Sequence, residues 1–153
     1  MASPAVLLLS IGLLLAGGAA SAGGAARGDG ARAARLDHSG RKQVGEASFY
    51  ARKFAGRPMA DGTPMDPHGD NAASRTLPLG TTATVTNLDT GQRAVVTIQD
   101  RGPFVEGRIV DLSPATARRI GLEPEEGVTT VEVAPIAVPQ PDGSVRLGAG
   151  ASR

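Results

Sequence analysis

The chain has no cysteine and no tryptophan, and it carries only one tyrosine and three phenylalanines. Without cysteine there is no disulfide, no thiolate metal site and no lipid-bearing cysteine at a processed N-terminus. With so few aromatics, a core must be built from Val, Ile, Leu and Ala, which a small domain can do at modest stability. The two histidines, His38 and His68, are far apart in the chain, and the formal net charge is only +1. That balance gives no electrostatic footprint for nucleic acid.

What is there divides into three kinds of segment. Residues 6–16 form an apolar run, followed by small residues and Ala20-Ser21-Ala22. The run has signal-peptide length, is too short for a comfortable membrane span, and ends in an A-x-A cleavage pattern. Residues 1–22 are therefore expected to be a leader cut after Ala22, although residues 1–4 contain no Lys or Arg. The mature chain is then exported, not lipidated and without stable membrane insertion. Residues 23–43 are rich in Gly, Ala and Arg and read as a flexible basic linker. Residues 136–153 read as a similar tail, adding at most a short strand over 144–147.

The remaining stretch, 44–135, is expected to be one mainly β domain, monomeric, with one short helix. Residues 46–50 place Ala47 and Phe49 on one face and Ser48 and Tyr50 on the other. Residues 81–87 and 93–99 alternate around the turn signal Asp89-Thr90-Gly91-Gln92, the pattern of a hairpin. Residues 128–134 alternate valine with Thr, Glu and Ala as a last strand. Ser113 offers an N-cap, Pro114 a first helical position and Gly121 a stop, so a single helix is expected between them with Ala117 and Ile120 inward. Short strands without a βαβ rhythm suggest a compact barrel.

The residue with most chemical interest is Asp100. The apolar run 94–98 ends at Asp100-Arg101-Gly102-Pro103, where Gly102 can turn and Pro103 cannot continue a ladder. A carboxylate is thus delivered at a strand end, a common way to build a glycan-cleaving site. The alternative is an ion pair with Arg101 or Arg108 that pins the loop. Asp111 reads as a helix cap or a partner for Arg108. His68 with Asp66 and Asp70 imitates a metal site, but such a loop cluster reads as solvent-facing, and no metal is expected. Tyr50 and Phe54 offer a face for sugar rings or serve the core.

Several ordered segments together resemble the rare lipoprotein A (RlpA) family. They are Thr76-Leu77-Pro78-Leu79-Gly80-Thr81, Val85-Thr86-Asn87-Leu88, Asp100-Arg101-Gly102-Pro103-Phe104 and Gly107-Arg108-Ile109-Val110-Asp111-Leu112-Ser113. The resemblance runs from about Gly45 to Val133. It implies a six-stranded double-psi β-barrel, a fold shared with expansins. It also implies lytic transglycosylase activity on peptidoglycan strands lacking stem peptides, with no cofactor. Matched position by position, it makes Asp100 and Asp66 catalytic. Arg101, Thr63, Ser74 and Tyr50 become candidates for holding substrate. The family's A-S-G-E-x-Y-D reads here Ala60-Asp61-Gly62-Thr63-Pro64-Met65-Asp66, and its A-A-H reads Ala72-Ala73-Ser74. Thr63 therefore stands for a glutamate and Ser74 for a histidine, and neither titrates usefully. Two other readings stay open: an expansin-like binding module without turnover, and a structural partner for another wall enzyme.

Overall fold

The computed structural model describes residues 35–152. The expected leader and most of the expected linker lie outside those residues. Among the described residues there are seven strands: β1 (Gln43–Phe49), β2 (Asn71–Ala73), β3 (Thr82–Asn87), β4 (Arg93–Asp100), β5 (Arg108–Leu112), β6 (Thr129–Pro139) and β7 (Val145–Leu147). One α-helix, α1 (Pro114–Arg119), follows β5. The ladder runs β1-β5-β2-β4-β3-β6, and β1 also pairs with β6, so six strands close on themselves. β7 is an extra strand laid on β6. Closure matters because it leaves no free edge within those six strands. Two pairs are parallel, β1 with β5 and β2 with β4, and the rest are antiparallel. The parallel pairs interlock segments distant in sequence and give the double-psi barrel its crossed connections.

Alternation explains which side chains fill the barrel. Ala83 and Val85 of β3 and Ala94, Val96 and Ile98 of β4 point inward, with Thr82, Thr84 and Thr86 on the outer face. Val110, Leu112, Val131 and Val133 meet them, and Leu77, Ala117, Ile120 and Leu122 close the ends. No aromatic side chain lies in the buried cluster; Phe49 packs against its side. The hairpin of β3 and β4 is formed as its alternation predicts, Ala83 opposite Val96 and Val85 opposite Ala94. The helix also forms where its signals place it. Ser113 Oγ accepts from Thr116 N at 3.1 Å, Pro114 opens the helix, and Gly121 takes φ +76° after it. Ala117 and Ile120 are buried. The buried Asn87 ties this helix to the barrel, donating through Nδ2 to Ile120 O at 2.9 Å.

Two features depart from the strand pattern read in the sequence. β2 and β5 are not among the strands expected from the sequence, yet they fill the centre of the sheet order. The last strand also passes the expected boundary at Pro135 and ends at Pro139, with Val138 fully buried. The chain then turns back as β7, and Gly148 N donates to Ile136 O at 2.9 Å. Gly148 is required there, because a Cβ would stand 2.3 Å from Pro135 O. Ala149 N donates to Gly40 O, and Lys42 pairs with Glu132 at 3.2 Å, so residues on both sides of the expected domain join the barrel.

Leu112 lies wholly inside the barrel, one residue beyond Asp111. Leu112→Ala is expected to cost about 2–5 kcal/mol, the range for a buried leucine truncated in a packed core. Urea unfolding followed by circular dichroism checks this; a change below the error of the midpoint would show that the barrel collapses around the cavity.

Candidate active site

A cleft of about 700 Å³ opens at the end of β4, lined by Ser48, Tyr50, Phe54, Arg57, Asp100 and Asp111 among others. Its position follows from two irregularities in the ladder. Ala94, Val96 and Ile98 alternate inward along β4, so strict alternation would send Asp100 inward too. Between β2 and β4 the register slips: Ala72 faces Ile98, but Ala73 faces Asp100. A bulge of this kind re-aims the following side chain. A second slip occurs between β1 and β5, where Glu46 faces Arg108 and Ala47 faces Val110. After it, Ser48 stands opposite Asp111. Ser48 and Tyr50 both line the cleft, on the face opposite Ala47.

Three donors converge on Asp100. Tyr50 OH donates to Oδ2 at 2.8 Å, and the backbone N–H groups of Ala60 and Arg101 donate to Oδ1, each at 2.9 Å. This is the bonding pattern of a carboxylate, which only accepts. One lone pair of Oδ2 is left to face a ligand. Burial, the bond to Asp100 and the charges of Asp100 and Asp111 all push the Tyr50 phenol far above its ordinary value, so it stays a donor.

Asp111 has the opposite character. Ser48 Oγ donates to its Oδ1. Burial, the largest influence, raises its pKa above the ordinary 3.8, and the charge of Asp100 raises it further. The Ser48 bond and Arg108 pull the other way without cancelling the rise. Neither expected structural role fits: Ser113 caps the helix, and no ion pair joins Asp111 to Arg108. The strand signal that places Asp111 on the cleft side is its position between the inward Val110 and Leu112.

The other residues singled out in the sequence fall differently. Asp66 does not line this cleft. Its Oδ1 accepts from His68 N at 2.8 Å, and its own N–H donates to Asn71 Oδ1, so it shapes the 66–71 turn. Thr63 sits in a small loop, its hydroxyl donating to Asp61 Oδ1 at 2.5 Å and accepting from Gln99 Nε2. Ser74 is buried, and its Oγ accepts from the N–H groups of Thr76 and Leu77. Its backbone N–H reaches Asp100 O at 3.1 Å, so it supports the site from below rather than facing a ligand. Arg101 lines the cleft, but Nη1 donates to the backbone oxygens of Ser74 and Leu77 at 3.0 and 2.7 Å. It ties the loop down and forms no ion pair with Asp100. Burial lowers its pKa and Asp100 opposes that; a guanidinium remains charged regardless. Among the described residues, no three His, Asp or Glu side chains gather at metal-binding distance.

Comparison with known proteins agrees with this architecture. A family model described as lytic transglycolase matches residues 42–133. An endolytic peptidoglycan transglycosylase RlpA of Pseudomonas aeruginosa is 44% identical over 92 residues, covering 60% of this chain and 27% of that protein. The protein of the same name from Pasteurella multocida is 50% identical over 84 residues, 55% of this chain and 29% of that one. The chain thus spans less than a third of the length of these two relatives. Among solved structures, an expansin of Clavibacter michiganensis aligns with TM-score 0.47 at 20% identity, over 62% of this chain and 50% of that one.

Proposed function

Because the chain belongs to the lytic transglycolase family, we propose that it cuts peptidoglycan glycan strands without water, leaving 1,6-anhydro-muramic acid ends. The observation that carries this reading is the pair of unlike carboxyl groups in one cleft. Asp100 is ringed by donors and Asp111 is buried with a raised pKa. Two carboxyl groups in unlike surroundings, one of them buried, are a means of dividing acid from base. Asp111 gives its proton to the glycosidic oxygen as that C–O bond breaks. Asp100, negative beneath the sugar, stabilises the positive charge growing at the anomeric carbon. The sugar's own 6-hydroxyl then attacks that carbon, and its proton passes to Asp100. Returning that proton to Asp111 resets the pair. The sequence alone put acid and base on Asp100; the burial of Asp111 supports giving it the acid's part.

Tyr50 and the N–H groups of Ala60 and Arg101 hold Asp100 in place, and Ser48 does the same for Asp111. The remaining sequence candidates act one step away: Arg101 and Ser74 hold the loop, and Thr63 and Asp66 shape the turns around it. The reading places the mature chain in the periplasmic or extracellular wall space, where glycan strands lie. The apolar run 6–16 and Ala20-Ser21-Ala22 support export.

Digestion of peptide-free glycan strands, read by mass spectrometry, tests the activity. Products one water lighter than hydrolysis fragments are expected, growing with time. Reducing-end fragments instead would mean hydrolysis and would overturn the mechanism. Thr63 and Ser74, which cannot titrate usefully, favour one second reading: a glycan-binding module without turnover. Retention on purified sacculi with no product at any time selects it.

A further inference from the structure

The floor of the cleft is acidic, but its rim is not. The short helical turn Arg52–Phe54 buries no side chain, so its residues are not there to fill a core. Phe54 meets Tyr50 edge-on, with ring centres 6.1 Å apart, and Tyr50 in turn holds Asp100. Two cations rest on the same phenylalanine. Lys53 Nζ stands 5.4 Å and the Arg57 guanidinium carbon 5.5 Å from the ring centre. Contacts of this kind hold a cation in place without neutralising it.

Neither cation has an acidic partner among the described residues. Among the described residues the one ion pair joins Lys42 to Glu132. Nor do Lys53 and Arg57 act on Asp111: the charges that do are Arg108 and Asp100. Arg101, the remaining cleft-lining arginine apart from Arg108, is committed to backbone oxygens. Arg57 on the cleft wall and Lys53 on the same ring are therefore two exposed positive charges held on an aromatic side chain, with no acidic partner among the described residues. That combination fits a ligand that carries a carboxylate.

We infer that Lys53 and Arg57, held on Phe54, form a subsite that reads a carboxylate on the glycan. The inference rests on the transglycosylase reading for the identity of that glycan. In peptidoglycan the carboxylate is the lactyl group of muramic acid. It is free and negative when no peptide is attached, and becomes a neutral amide when one is. The rim thus distinguishes the two states by charge.

The test uses peptide-free strands in two forms, one with free lactyl carboxylates and one with those groups converted to methyl amides by carbodiimide coupling. Binding and product release are measured for each with the native chain. The same is done with the double variant Lys53→Gln/Arg57→Gln and with Lys53→Arg/Arg57→Lys, which keeps both charges. Arg118→Gln/Arg119→Gln, at exposed cations outside the cleft, controls for general attraction to a polyanion. Amidation is expected to weaken binding to the native chain roughly tenfold at low salt, with the difference shrinking as salt rises. The glutamine variant should bind both strands alike, at the native chain's level for the amide. The charge-keeping and control variants should discriminate as the native chain does. Equal binding of both strands by the native chain overturns the subsite, and so does loss of discrimination in the control. If anhydro products then still appear from both strands, the transglycosylase reading stands alone. If neither strand is bound or cut, both readings fall.

Discussion

Asp100→Asn is expected to abolish release of anhydro products while leaving the barrel intact. Asparagine keeps the size and one acceptor oxygen, so the N–H groups of Ala60 and Arg101 retain a partner. It loses the negative charge under the anomeric carbon and the site that takes the 6-hydroxyl proton. A group that moves a proton in the transition state contributes about 10²–10⁴-fold. The initial rate on peptide-free strands should fall by that factor or below detection. Circular dichroism and the unfolding midpoint should stay close to native, because the residue lies at a strand end and outside the buried cluster. Full activity in this variant would rule out the mechanism. Lost activity together with lost structure would move the explanation to folding, and the turn that receives Asp100 would then be the part to study.

The second large effect belongs to Asp111→Asn, and it has two opposite signs. Activity should fall by about 10²–10⁴-fold, since the amide cannot give a proton to the leaving oxygen. Stability should rise at neutral pH. A carboxyl whose pKa is raised in the fold binds its proton more tightly there than in the unfolded chain. Below the ordinary value of 3.8 both states are protonated and burial of Asp111 costs nothing in charge. As pH climbs through 3.8 and then through the raised value, the fold must carry a negative charge that burial disfavours, and stability declines. The asparagine variant escapes that decline and still accepts from Ser48. Thermal unfolding should therefore put it above the native chain at pH 7, with the gap closing below pH 3.8. In the native chain, activity should fall as pH rises through the raised Asp111 value. A variant that is as active as native, or that loses stability at neutral pH, would return Asp111 to a purely structural role.

The family, the barrel and the place of Asp100 at a strand end were legible in the sequence, because each of these rests on local patterns. Alternation over β3 and β4, with a turn between them, defines a hairpin from its own residues. The helix is bounded by Ser113, Pro114 and Gly121, whose preferences act within one turn of chain. Asp100 stands out because an apolar strand stops beside Gly102 and Pro103.

The tertiary structure decided which residues share the cleft with it. β2 is three residues long and exists only because β4 and β5 flank it. The bulges that turn Asp100 outward and set Ser48 opposite Asp111 are properties of strand pairs far apart in sequence. Matching motifs along the chain therefore favoured Asp66, which the fold spends on its own turn. They make Asp111 a helix cap or a partner for Arg108, whereas parallel pairing with β1 sets it in the cleft. Ser74 and Arg101 are redirected for a related reason: backbone groups near the barrel end need partners, and these side chains are within reach. Strand identity, turns and the helix cap were fixed by short-range preferences. Register, bulges and the burial that separates Asp111 from Asp100 depend on contacts no single segment contains.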